Sequence, residues 1–249
     1  MKNCITDIHM HVVPAVDDGS RTMDESCEML RLAAEQGVGA VFATPHDSAF
    51  LCTDVRAAFR QLKETVLQRE IPIDLYLGCE LRISAKTAEE CVQGLIDGTY
   101  PTMGNSRCVL AEFTFGTSLQ DSLFCIHTLT DHGFVPIIAH IERFANIDLR
   151  FAKSLRDAGA LIQINAYSIA EEQNDQIRQR TNRFLSERIV DFIGTDAHRT
   201  DHRPPLFFKG MHELRRLYTE EFAALVAVEN PRKYLTDSAA LRAAPDHPV

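Results

Sequence analysis

Seven short apolar runs constrain this chain more than any other feature: Ile5–His9, Ala40–Pro45, Ile73–Leu81, Cys108–Phe113, Val135–His140, Leu161–Ala166 and Ile189–Gly194. They are rich in Ile, Val, Leu and Phe and mostly lack polar alternation, which is the pattern of strands covered on both faces. Helical stretches separate them. Thr22–Gln36 carries a Thr22/Glu25 capping box, an apolar stripe of Met23, Cys27, Leu30 and Ala34, and a terminating Gly37. Thr53–Arg69, Ser118–His132, Asn146–Ala158 and Glu171–Arg188 have similar length and period. Such alternation predicts parallel strands joined by right-handed crossovers, hence an α/β barrel one strand short of the eightfold TIM-like one. With 249 residues, 45% of them hydrophobic, the chain can bury one sizeable core, so a single domain over 1–249 is expected, with a tail from about residue 237.

Polar residues of metal-binding type gather where these runs end. His9 and His11 close the first run, His46 the second, Glu80 the third, Glu112 the fourth and His140 the fifth, while Asp196 and His198 follow the seventh. Barrel enzymes assemble their sites from C-terminal strand ends. On an extended backbone, His9 and His11 at i, i+2 project from one face and can share a cation. Taken singly, most of these residues have plainer readings. Two histidines at a strand end can cap a core, Asp17–Asp18–Gly19 is an ordinary turn sequence, and His46 fits a satisfied structural histidine. Glu80 and Glu112 resist that treatment, because a carboxylate near a buried strand end needs a cation or donors. In Gly194–Thr195–Asp196–Ala197–His198 small residues permit close backbone approach. In His140–Ile141–Glu142–Arg143 an imidazole lies near a guanidinium. All the plain readings must hold together for the placement to be accidental. His127, His132, His202, His212 and His247 lack it and are read as surface or packing residues.

A formal net charge of -9 would repel a polyphosphate backbone, so nucleic acid is not an expected partner. Bound cations would supply the missing positive charge locally. The N-terminal sequence MKNCITDIHMHVV lacks a signal-peptide pattern and no apolar run could span a bilayer, so a cytoplasmic protein without stable membrane insertion is expected. Seven cysteines without CxxC spacing indicate neither a disulfide framework nor a zinc ribbon.

Six ordered motifs, DIHMHVVPAVDDGS, ATPH, GCELRI, VLAEF, AHIER and GTDAH, resemble the polymerase and histidinol phosphatase (PHP) superfamily over nearly the whole chain. Within it they resemble the manganese-dependent bacterial protein-tyrosine phosphatases encoded with capsule and exopolysaccharide genes. The resemblance implies the PHP fold, a distorted (β/α)7 TIM-like barrel, with three divalent metal ions: Mn first, with Fe, Zn or Mg as alternatives. It implies a first metal on His9, His11 and Asp196, with Glu80 bridging to a second on Glu112 and His140, and a third on Asp18, His46 and His198. Arg143 and Arg203 fall where that group places arginines that grip the phosphoryl group. Asp47 departs from the pattern, standing where relatives often carry a basic residue or histidine. Glu28–Met29–Leu30–Arg31 partly echoes a ring-assembly motif, though an exposed Glu and Arg on a helix reads equally well, and a homo-oligomer is compatible with the sequence.

Phosphomonoester hydrolysis needs charge stabilisation on the phosphoryl oxygens and a nucleophile at neutral pH, and clustered metals provide both. No cysteine has an arginine at the Cys-x5-Arg spacing of the thiol route. The implied substrate is a phosphotyrosine protein, the tail of a bacterial tyrosine kinase that controls polysaccharide export. Short strand-to-helix connections favour such an exposed tail over a small metabolite. The rivals are a histidinol-phosphate-like metabolite phosphatase, a metal-dependent amidohydrolase, and a catalytically silent PHP module.

Overall fold

Most of the apolar runs become parallel strands covered on both sides, leaving no polar face to alternate; in the third run Asp74 is exposed and Tyr76 and Leu77 are half-buried. A computed structural model describes residues 4–169 and 175–236; the tail expected from about 237, His247 and the first residues of the 171–188 stretch lie outside them. The strands are β1 (Ile5–Met10), β2 (Val38–Ala43), β3 (Asp74–Leu77), β4 (Glu80–Ile83), β5 (Cys108–Phe113), β6 (Val135–Ile138), β7 (Leu161–Asn165) and β8 (Phe192–Gly194). All ladders are parallel, in the orders β1-β2-β3 and β4-β5-β6-β7-β8. Two seams close the barrel. Asp196 N–H donates to His9 O (2.8 Å) and His11 N–H to Ala197 O (2.8 Å), joining β8 to β1, while Gly78 N–H reaches Ala43 O (2.8 Å) and Glu80 N–H reaches Pro45 O (3.0 Å).

The third run is therefore one stave in two pieces, which exchanges its neighbour from β2 to β5 at Gly78–Cys79. A Cβ on Gly78 would lie 2.6 Å from Met103 Sδ and 3.1 Å from Thr44 Cγ2, so the bend is packed where only glycine fits. Glu80 consequently opens a strand instead of closing one. It still stands at the mouth of the barrel.

Helices α1 (Met23–Glu35), α2 (Asp47–Cys52), α3 (Val55–Gln68), α4 (Ala88–Ile96), α5 (Leu119–Asp131), α6 (Leu149–Asp157), α7 (Asp175–Ser186), α8 (Phe207–Leu217) and α9 (Glu220–Ala224) surround the strands. Side-chain caps set several starts: Thr22 accepts from Glu25 N, Asp54 from Ala57 N, Ser118 from Asp121 N and Asp148 from Phe151 N. The capping box at Thr22 is only half formed, because the Glu25 carboxylate turns to Arg21 N (2.9 Å). The helix expected over Thr53–Arg69 starts later, since Thr53 is extended and Asp54 caps, and a separate short α2 precedes it. Asp148 likewise shortens the helix expected from Asn146.

Ile8, Phe42, Leu110, Ile137 and Phe192 form an apolar plug with Met103 and Leu235, and a larger core contains residues of both helices and strands. Gly210 of α8 lies against the turn after β7, where a Cβ would sit 2.3 Å from the Ala166 carbonyl oxygen. Gly210→Ala is expected to destabilise the fold by about 2 kcal/mol, lowering Tm by roughly 4–8 °C. Unchanged melting would show that α8 shifts freely. No helix among the described residues is long and apolar enough to cross a membrane.

Candidate metal centre

All nine candidate ligands converge at one end of the barrel. Glu80 is the hub: its carboxylate lies 2.8 Å from His140 Nε2, 3.0 Å from His46 Nδ1, 3.2 Å from His11 Nε2 and 3.4 Å from His9 Nε2. The His9 and His11 Nε2 atoms are 3.3 Å apart, as the i, i+2 spacing requires, and each is 3.6 Å from Asp196 Oδ1. Glu112 Oε1 is 3.6 Å from His140 Nε2. Asp18, on the loop after β1, lies 3.3 Å from His46 Nε2 and 3.5 Å from His198 Nε2.

Donor atoms within 4.8 Å of one another form four overlapping sets: His9/His11/Asp196, His9/Glu80/His140, His46/Glu80/Glu112 and His11/Asp18/His46/His198. The first and last match the expected groupings, with His11 added to the last. Glu112 and His140, expected together, fall in separate sets that share Glu80.

Backbone packing makes this convergence possible. A Cβ on Gly194 would lie 2.7 Å from His9 Cβ, so the glycine lets β8 approach β1 closely enough for Asp196 to meet the histidines. His140 (φ 31°), Asp196 (φ 53°) and Arg203 (φ 53°) all occupy the left-handed region that non-glycine residues avoid. Strain of this kind persists where surrounding contacts over-determine the backbone. Here the His140 amide donates to Gln163 Oε1 (2.7 Å) and the Arg203 carbonyl accepts from His198 N–H (3.0 Å).

The donors fit divalent cations. His198 Nδ1 is 2.9 Å from the Asp196 carbonyl oxygen, which fixes the proton on Nδ1. Its buried Nε2 has no hydrogen-bond partner, so a lone pair points into the Asp18 and His46 group. Burial, together with the like charge of His11, holds the His198 pKa down to about 3, so the ring is neutral as a ligand must be. Burial opposes charge on Glu80, yet the adjacent histidines keep its carboxyl well below the usual range. Burial likewise opposes charge on His11, and hydrogen bonds to Asp17 and Glu80 outweigh it, raising that pKa well above normal. Without cations the cluster thus stores protons that metal binding would displace. Imidazole plus carboxylate suits Mn, Fe or Zn.

Several supporting residues carry no local sequence signal. The Gln163 amide lies between His140 and Asn165, donating to Asn165 Oδ1 (2.9 Å), and Asn165 Nδ2 donates to Asp196 Oδ2 (3.2 Å). Buried Asp7 accepts from Thr195 N (2.9 Å) and His9 N (3.2 Å), and buried Glu142 accepts from Asn165 N (3.0 Å) and Ser168 Oγ (2.7 Å). Arg82 Nε donates to Glu112 Oε2 (3.0 Å). Arg143 Nη1 and Arg203 Nη1 both donate to Asp196 Oδ2, at 3.2 and 3.0 Å. Asp47 lies beside His46 but belongs to none of the four sets. All seven cysteines are free, and no set includes one.

Asp17 is more than a turn residue. Its Oδ1 accepts from Gly19 N (3.0 Å), as a turn requires, while Oδ2 accepts from His46 N (3.1 Å) and lies 2.8 Å from His11 Nδ1. Burial would raise its pKa, but the His11 contact holds it at about 2. A depressed carboxyl pKa stabilises the fold above the unfolded value near 4, and that contribution disappears as pH falls through about 2. Asp17→Asn is expected to lose it, flattening the acid limb of the stability curve of the metal-free protein, and to weaken metal affinity by roughly 10- to 100-fold. Metal titration and acid unfolding check this. Unchanged affinity would reduce Asp17 to its turn.

The family model for capsular polysaccharide synthesis, CpsB/CapC, matches residues 5–236. The chain is 29% identical to the tyrosine-protein phosphatase CpsB of Streptococcus pneumoniae over 242 residues, covering 93% of this chain and 98% of that protein. It is 28% identical to the tyrosine-protein phosphatase YwqE of Bacillus subtilis over 247 residues, covering 96% and 94%. A crystal structure from work on YwqE and CpsB, described as unique metal-dependent tyrosine phosphatases, superposes with a TM-score of 0.84 at 26% identity, covering 98% of this chain and 99% of that one. A phosphotriesterase homology protein of Escherichia coli, at 14% identity and a TM-score of 0.64 over 95% of this chain and all of that one, shares the barrel fold alone. Matched along almost its whole described length, the chain belongs to the CpsB/CapC family of capsular polysaccharide synthesis.

Proposed function

We infer that the chain is a metal-dependent protein-tyrosine phosphatase of capsular polysaccharide synthesis, and we propose that it holds three divalent cations, Mn in the first place. The observation that carries this reading is the buried Glu80 carboxylate, met by four histidines from separate stave ends or, for His9 and His11, from one. When bound, the cations supply positive charge and make water acidic enough to provide a nucleophile at neutral pH.

The chain's own residues do the rest. His9, His11, Asp196, Glu80, Glu112, His140, Asp18, His46 and His198 hold the cations, while Asp17 and Gln163 fix ring orientations. Arg143 and Arg203 turn from Asp196 to the non-bridging phosphoryl oxygens. A tyrosine phenolate leaves with a conjugate-acid pKa near 10, so departure makes little demand on a general acid. Residues 1–249 act as one cytoplasmic unit, and the substrate is the phosphorylated tyrosine-rich tail of a kinase governing polysaccharide export.

Purified protein should lose activity on chelation and regain it best with Mn, compared with Mg and Zn. Its kcat/KM should be higher for a phosphotyrosine peptide than for histidinol phosphate under the same metal. A large preference for histidinol phosphate would transfer the site to a small metabolite, and indifference to chelation would remove the metal requirement.

A further inference from the structure

Beside the cation-binding residues, the rim presents an aromatic ring to solvent. Phe115, three residues past Glu112 in the connection to α5, is 68% exposed, the most exposed phenylalanine among the described residues. It packs on Phe144, with ring centroids 5.2 Å apart and planes inclined by 34°. Phe144 is itself buried, stacks on His140 (6.0 Å, 24°) and meets Phe113 edge-on (6.3 Å, 71°). A continuous series of rings thus leads from a cation-binding histidine out to solvent.

The loop that carries Phe115 is fixed in place. Thr117 N–H donates to Thr114 O (3.1 Å), the two threonine hydroxyls are 2.9 Å apart, and Asn146 Nδ2 donates to Thr117 O (2.7 Å). Asn146 follows Arg143 by three residues, so the aromatic loop is tied to the segment bearing both His140 and Arg143. Exposure alone is ordinary for a single phenylalanine, but a fixed ring joined through Phe144 to His140 is placed to meet a ligand that carries a ring of its own.

We propose that Phe115 selects aryl over alkyl phosphomonoesters by packing against the phenol ring of phosphotyrosine while the phosphoryl group lies at the cations and Arg143. This rests on the phosphatase reading above. A phosphoserine side chain brings its phosphoryl group to the same place, but has no ring to reach the rim. The short aliphatic stem gains nothing from Phe115.

The test uses the metal-loaded full chain with Phe115→Ala, Phe115→Leu and Phe115→Tyr. Its substrates are phosphotyrosine and phosphoserine peptides of one sequence, and its inhibitors are phenylphosphonate and methylphosphonate. Phe115→Ala should raise KM for the phosphotyrosine peptide and Ki for phenylphosphonate by roughly 5- to 10-fold, with kcat and metal content unchanged. Methylphosphonate should bind as before, Phe115→Tyr should restore the wild-type values, and Phe115→Leu should fall between. Equal weakening of both phosphonates would make the ring merely a support for the loop, and no change in either would leave it without a part in recognition; both outcomes overturn the proposal. If the unsubstituted protein turned over only alkyl phosphates, the phosphatase reading for tyrosine would fail with it. Aryl turnover with an unselective Phe115→Ala would defeat the proposal alone.

Discussion

Glu80→Gln is expected to empty the metal centre and to lower kcat/KM by at least about a thousandfold. The substitution keeps the side-chain shape and removes one charge, so its effect reads electrostatics and not packing. In the cation-free protein that charge faces His9, His11, His46 and His140, all within 3.4 Å. Burial opposes protonation of His11, His46 and His140, yet hydrogen bonds to Glu80 help raise all three pKa values above normal. A neutral amide removes that support, so these rings should lose their protons closer to neutral pH and the metal-free fold should weaken by several kcal/mol, as when one partner of a buried ion pair is deleted. Elemental analysis, steady-state kinetics and denaturant unfolding of the metal-free form give three separate readouts. Retention of full metal content and activity would show that Glu80 is a structural acceptor for histidines and not the centre of the site.

The barrel was legible in the sequence because its strands are short, apolar and unalternating, and the cluster was legible because those runs end in His, Asp or Glu. What stayed hidden was the consequence of long-range packing. Nothing around Gly78 distinguishes a bend from a strand interior until Met103 and Thr44 are seen against it. Asp54 could be recognised as the cap that separates α2 from α3 only by weighing it against the periodicity that runs through Thr53. The supporting polar groups follow the same logic: Gln163 is 154 residues from the His9 ring it approaches, and Thr195 is 188 residues from Asp7. Local motifs carry no record of such partners. Asp17 was visible as half of an Asp-Asp-Gly turn, and the turn exists, but its second oxygen serves His11 and His46.

Arg143→Ala and Arg203→Ala are each expected to lower kcat by about 10²- to 10³-fold while leaving metal content unchanged. Both guanidinium groups rest on Asp196 Oδ2, which also accepts from Asn165 Nδ2 at 3.2 Å. Losing one arginine therefore leaves the carboxylate with two donors, and Asp196 is not orphaned. Metal binding should survive. In the proposed role each arginine leaves that oxygen for a phosphoryl oxygen and grips it better in the transition-state geometry than in the bound substrate, which places the loss mainly on kcat and less on KM. A lysine at either position keeps the charge but loses the planar fork, and should recover only part of the rate. The opposite role, in which the arginines merely hold Asp196 in its left-handed conformation, predicts a different pattern: reduced metal content in the alanine variants, with activity restored by excess Mn. Measuring metal content and kcat on the same preparations separates the two, and restoration by Mn would remove both arginines from the phosphoryl site.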